Sequence, residues 1–185
     1  ADVSIPMPTE GDLAWAKKIY RSSQKKQTQA LEVSVADQNV WRTAFLLQIP
    51  YVDKFVGSKG VAPYHKENAV LTSLQTKNND TLSLLMRSPL RINSSNAVQY
   101  VREATISQLK IMLKYRKKAF LVETNHYSTM LTAISCASLD KVKILYEHGG
   151  DIFTNADKRI ELALKQNKPE IARFIKEEIS KKKKE

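Results

Sequence analysis

The groups in this sequence that could do chemistry are three histidines, one cysteine and a scatter of carboxylates. Their spacing puts none of them in a catalytic or metal-binding order. His65, His126 and His148 are far apart and lack the spacing of metal ligands. A single cysteine, Cys136, excludes an internal disulfide and any cysteine-rich zinc site. It lies in an apolar helical pattern and reads as a small buried hydrophobe rather than a reactive thiol. His148 falls near a helix end, where a partly charged imidazole suits the dipole. Asp37, Asp53 and Glu67 read as caps or solvated charges. There is no Gly-rich phosphate loop, no GxSxG, no HExxH and no Cys-x-x-Cys. The expectation is therefore no catalytic residue, no metal, no cofactor and no small-molecule substrate. Only a cluster assembled in space would restore an enzyme.

The charge is the second chemical signal. Thirty Lys and Arg stand against nineteen Asp and Glu, a net charge of +11 without histidine. Such an excess favours anionic partners: nucleic acid, lipid headgroups or an acidic protein face. Lys110, Lys114, Arg116, Lys117 and Lys118 form one cluster, and helical spacing puts Lys110, Lys114 and Lys117 on one face. Lys141, Lys143 and Lys158 extend it into a stripe, and residues 181–184 add a basic tail of four lysines. One reading is a binding surface for nucleic acid or an anionic membrane. The other is a solvated outer face, since charge runs are normally exposed.

The elements that must carry these groups are helical. Only five glycines and six prolines punctuate 185 residues, and helix formers dominate, which points to an all-α class. Residues 1–11 read as an extended lead-in. Asp12 is placed to cap a helix through Leu13, Ala16, Ile19 and Tyr20. Residues 21–29 read either as an exposed continuation of that helix or as a linker. Leu31, Val33 and Val35 alternate, as in a briefly extended segment. From Asp37 on, helices come in pairs. Val40, Trp41, Ala44 and Leu47 lead to a helix opened by Pro50 with Val52, Phe55 and Val56, ended by Gly57 and Gly60. Four further pairs follow, at Ala69–Leu74 and Leu82–Met86, Ala97–Val101 and Ile106–Leu113, Met130–Ile134 and Leu139–Leu145, and Ile160–Leu164 and Ile171–Ile175. Each helix buries one stripe, so neighbouring pairs must stack. Thr105 and Gln108 spell a capping box, Ser138 and Asp157 are placed as N-caps, and Pro169 suits a first turn.

The pairs repeat in their words as well as their rhythm. Leu109 and Val142 occupy matching places 33 residues apart. Ile106-Ser-Gln-Leu-Lys-Ile-Met-Leu aligns with Leu139-Asp-Lys-Val-Lys-Ile-Leu-Tyr, and Pro169-Glu-Ile-Ala-Arg-Phe-Ile follows after a spacing of 30. This pattern resembles the ankyrin repeat over about residues 94–180, with the best copy at 128–152. Ser128-Thr129-Met130-Leu131-Thr132-Ala133 stands where that family has Thr-Pro-Leu-His-x-Ala. Tyr146-Glu147-His148-Gly149-Gly150-Asp151-Ile152 stands for its helix ending and Gly-Ala-Asp-Val turn. Glycine after a helix supplies the left-handed closure, and the aspartate beside it can start the next turn. Thr129 occupies the family's proline position and Leu131 its histidine position, and Arg116-Lys117-Lys118 replaces the glycine turn of the preceding copy.

The resemblance implies a short α-solenoid of stacked helix-turn-helix repeats with an N-terminal helical extension. Residues 1–36 form the extension, 37–180 the stack and 181–185 the tail. A plain helical bundle is the alternative. The resemblance also implies protein binding through loop tips and the concave face. The tip is residues 122–127, with Asn125, His126 and Tyr127 as contact groups; Tyr127 alternatively packs between repeats. The function expected is that of a scaffold, an adaptor or a fixed subunit of an assembly, with a nucleic-acid or membrane binder as the alternative. No apolar run approaches a membrane span. Ala-Asp-Val-Ser suits the end left by a signal peptidase, which implies an exported or periplasmic protein, and equally a trimmed end of a cytoplasmic one.

Overall fold

The computed structural model describes residues 3–49, Val52, Phe55 and 65–184. Among them the chain is all-helical. Helices α1 (Glu10–Ile19), α2 (Gln24–Ala36), α3 (Val40–Leu46), α4 (Glu67–Gln75) and α5 (Asn79–Arg87) belong to a first compact unit, Ala1–Arg91. Helices α6 (Ser94–Glu103), α7 (Ile106–Arg116), α8 (Thr129–Ser135), α9 (Leu139–Glu147), α10 (Ala156–Lys165) and α11 (Pro169–Lys184) belong to a second, Ile92–Glu185. No described helix is long and apolar enough to cross a membrane.

In the first unit α2 packs on α3 and α4 on α5, while α2 also meets α4 and α3 meets α5. The expected extended segment is thus helix. Leu31 and Val35 are fully buried, whereas Val33 is 58% exposed. That is a spacing of four, one helical turn, not the alternation of a strand. Residues 24–29, read as a tail of the first helix or a linker, open α2 behind a Ser23 cap. The first cap is likewise moved. Thr9, not Asp12, caps α1, and Asp12 closes a capping box by accepting the Thr9 N–H at 2.9 Å. The same carboxylate also takes the Arg42 Nε–H at 2.7 Å, which ties α1 to α3. Val52 and Phe55 are helical and Val52 is buried; Pro50, Asp53, Val56, Gly57 and Gly60 lie outside the described residues.

In the second unit α6 packs on α8 and α8 on α10, while α7 packs on α9 and α9 on α11. The pairs are closed by α8 against α9 and α10 against α11. The buried stripes form the core: Tyr100 and Val101, Leu109 and Met112, Met130 and Ile134, Val142 and Leu145, Ile171 and Ile175. Where the glycine turn is missing, residues Lys117–Phe120 wind into a 3-10 turn. Phe120 is fully buried there and its ring lies 6.5 Å from that of Tyr100. An aromatic plug thus follows α7 in place of a left-handed glycine.

Several turns share one construction. Gln38, Lys77, Ala137 and Asn167 each hold a positive φ two residues past a helix, and so does Gly149. The next N–H then reaches back five residues: Asn39 to Ser34 at 2.9 Å, Asn78 to Ser73 at 3.1 Å, Ser138 to Ala133 at 3.3 Å, Lys168 to Ala163 at 3.0 Å. This is the Schellman closure. At three of these turns the residue after it already caps the next helix: Asn39, Asn78 and Ser138 accept from the first turns of α3, α5 and α9. Pro169 then opens α11. The Thr105–Gln108 box is present, with both bonds made. Asp157 does not cap α10. Left-handed Asn155 takes that position without a side-chain bond.

Candidate functional site

Residues 122–129 turn back on themselves between the 3-10 turn and α8. Glu123 and Ser128 form an antiparallel bridge, and the Thr129 N–H donates to Val122 O at 3.1 Å. Thr124 closes the end: its N–H donates to Tyr127 O at 2.7 Å and its hydroxyl accepts the Tyr127 N–H at 3.0 Å. That leaves Asn125 and His126 at the apex, both exposed. Tyr127 is 41% exposed.

All three residues line one open groove of about 270 Å³. Val98 and Arg102 of α6 line it too, as does Leu131 of α8, itself 38% exposed. Val98 and Arg102 are one turn apart on α6, and Tyr127 and Leu131 stand either side of the α8 cap. The expected contact residues are therefore brought together, and Tyr127 faces a groove rather than packing wholly between helices. Sequence reasoning missed Val98, Arg102 and Leu131. Their signal was an apolar or cationic residue on the face of α6 and α8 next to the hairpin, which pattern alone assigns to core or surface indifferently.

Arg159 holds the hairpin in place. It is 4% exposed and spends its guanidinium on three acceptors. Nε donates to Thr154 O at 2.7 Å, Nη1 to Asp151 O at 2.6 Å and Nη2 to Glu123 Oε2 at 3.0 Å. Glu123 Oε1 accepts the Ser128 hydroxyl at 2.7 Å, and Ser128 Oγ also caps α8 through Leu131 N–H at 3.0 Å. A buried guanidinium needs its donors satisfied, and this one joins the loop after α9 to the hairpin before α8. Asp151 begins that loop, as expected, by accepting the N–H groups of Phe153 at 2.7 Å and Thr154 at 3.1 Å. Burial alone would raise its carboxyl, but these bonds and the Arg159 charge outweigh it and hold it below the usual carboxylate range.

The basic residues are dispersed by role. Lys110, Lys114, Lys117, Lys118, Lys143 and Lys158 are exposed, and Arg116 is half-buried. Lys143 Nζ lies 5.6 Å from the centre of the Phe174 ring, and residues 181–184, read as a tail, are the last turn of α11. Lys141 leaves the stripe altogether. It is buried, and its ammonium donates to Val101 O at 2.9 Å and Arg102 O at 3.2 Å. It neutralises the C-terminal carbonyls of α6, which have no partner within that helix. Burial pushes its pKa down. Periodicity cannot separate an ammonium facing water from one reaching a neighbouring helix end.

The remaining chemical groups stay apart. His148 caps α9, its Nδ1–H donating to Ile144 O at 2.8 Å. Cys136 is half-buried at the end of α8. Among the described residues no three His, Cys, Asp or Glu side chains converge as a metal site. No protein-family model matches this chain, and neither a curated protein nor a solved structure matches it.

Proposed function

We propose that this chain is a non-catalytic protein-interaction module, a scaffold, adaptor or fixed subunit, built of stacked ankyrin-like helix pairs. The partner is held at the groove beside the 122–127 hairpin. One observation carries the reading: the apex groups, the half-buried Val98 and the exposed side chains of Tyr127 and Leu131 line a single open groove. An aromatic ring with a polar edge, mounted on a hairpin anchored by Arg159, suits contacts that are part dry and part wet. The side-by-side packing of α6, α8 and α10 and of α7, α9 and α11 supports the ankyrin-like part.

The test is site-specific cross-linking in cells. A photoreactive phenylalanine replaces Tyr127 in one variant and Glu161, exposed on α10, in another. One defined protein is expected at position 127 and not at 161. Its affinity for purified protein is then measured, with about a tenfold loss expected for the triple change of Asn125, His126 and Tyr127 to alanine. Equal affinity removes the groove from the proposal.

A second reading has its own support. The four terminal lysines continue α11 as helix and, with Lys110 and Lys114, present fixed charge to solvent. The ligand in that case is an anionic polymer or membrane, and binding to single-stranded RNA or phosphatidylserine vesicles falls steeply with salt. No binding in low salt discards it.

A further inference from the structure

The groove beside the hairpin carries an unspent positive charge. Arg102, exposed at the end of α6, lines it, and among the described residues its guanidinium has no ion pair or hydrogen bond. Among the described residues no Asp or Glu lines the groove. Glu123, the carboxylate nearest in sequence to its apex, is committed to Arg159 and Ser128. The backbone that carries Arg102 is fixed, because Lys141 holds its carbonyl at 3.2 Å. Val98 sits one turn before it on the same helical face, and Tyr127 and Leu131 add exposed apolar surface.

From this juxtaposition of a free guanidinium with three apolar side chains in a polar rim and, among the described residues, no acid, we infer that the groove takes an extended acidic segment of a partner protein. A carboxylate meets Arg102, and an adjacent aromatic or large aliphatic side chain meets Val98, Tyr127 and Leu131. The charge is complementary, and the planar guanidinium pairs with a carboxylate through two parallel hydrogen bonds. At about 270 Å³ the open groove has room for a few side chains of such a segment. A hairpin and a helix end already held in place spare the segment part of the ordering cost of binding. The inference rests on the interaction reading above and names the chemistry of its partner.

Random heptapeptides displayed on phage and selected on the full chain test it. The expected consensus places Asp or Glu within two positions of an aromatic or large aliphatic residue. A synthetic consensus peptide, followed by fluorescence anisotropy, is expected to lose about tenfold in affinity to Arg102→Gln and to Tyr127→Ala, and to keep it with Lys114→Gln. Circular dichroism shows that each variant is folded. A consensus without acid, or one bound equally by Arg102→Gln, overturns the acidic specificity, and loss with Tyr127→Ala alone then leaves the groove reading standing. Binding unaffected by either change overturns both. Equal loss with Lys114→Gln shows attraction to diffuse charge and also overturns the inference.

Discussion

The guanidinium of Arg159 meets the carboxylate of Glu123 at 3.0 Å across 36 positions of sequence, with Arg159 almost wholly enclosed. This pair joins the loop that enters α10 to the hairpin that enters α8. The position of the candidate groove thus depends on a residue that never reaches it.

Removing Arg159 leaves a partly buried carboxylate and two backbone carbonyls without their donor. Arg159→Ala is expected to cost about 3 kcal/mol of unfolding free energy, measured by urea titration. Glu123→Gln keeps the shape and one donor–acceptor contact, and is expected to cost about 1 kcal/mol. A loss below half a kcal/mol in Arg159→Ala would remove the network from the account.

Ser128 and Ser138 both cap helices, but only Ser128 also donates to Glu123. Each serine-to-alanine change is expected to cost about 1 kcal/mol for the cap. Ser128→Ala should cost roughly 1 kcal/mol more, for the second hydrogen bond. Equal losses in thermal unfolding would show that the hydroxyl–carboxylate contact adds nothing.

Gly150 has no room for a side chain. A Cβ there would stand 2.7 Å from Leu145 O, the carbonyl that accepts the Gly150 N–H. Gly150→Ala is expected to destabilise by about 2 kcal/mol through a shift of the α9 ending. Gly149, at a φ of 103°, is expected to lose about 1 kcal/mol on change to alanine. A calorimetric melt unchanged in both would contradict this ending.

Acid should weaken the fold through Asp12 and Asp151. For both, burial alone would raise the carboxyl, and hydrogen bonds from Thr9, Arg42 and Asn39 or from Thr154 and Phe153 bring it below its ordinary value. A folded-state pKa below the unfolded one means that the unfolded chain binds more protons. The stabilisation is therefore complete above about pH 4 and is lost as pH falls through the folded values. Asp151→Asn should flatten stability against pH below about pH 4. An unchanged slope counts against the assignment.

Lys141 works in the opposite sense. Its pKa is lowered, so the folded chain releases its proton first and stability rises with pH as the solution approaches about pH 10. Replacing Lys141 by methionine should remove that rise. It should leave the retention of the protein on a cation-exchange column nearer to wild type than Lys114→Met does, because Lys114 is exposed and Lys141 is not.

What the sequence by itself determined is the local structure of residues 94–180. Helix spacing is written in apolar residues one turn apart, and caps are made by residues three positions apart, as in Thr105 with Gln108. These are short-range interactions, so neighbours suffice to reveal them. The exposure of Asn125 and His126 was legible as well, since both are polar and lie between two apolar stripes. The α2 helix was not. Leu31 and Val35 are one turn apart, but Val33 between them imitates a strand until packing shows which side is buried. Only the tertiary structure decided the rest. Lys141 and Arg159 look like any surface cation in the sequence, and both are buried because carbonyls from other segments converge on them. Arg102 looks the same and remains exposed beside Val98. The physical reason is that a charge's role depends on which donors, acceptors and solvent surround it, and those are brought together by helices tens of residues apart.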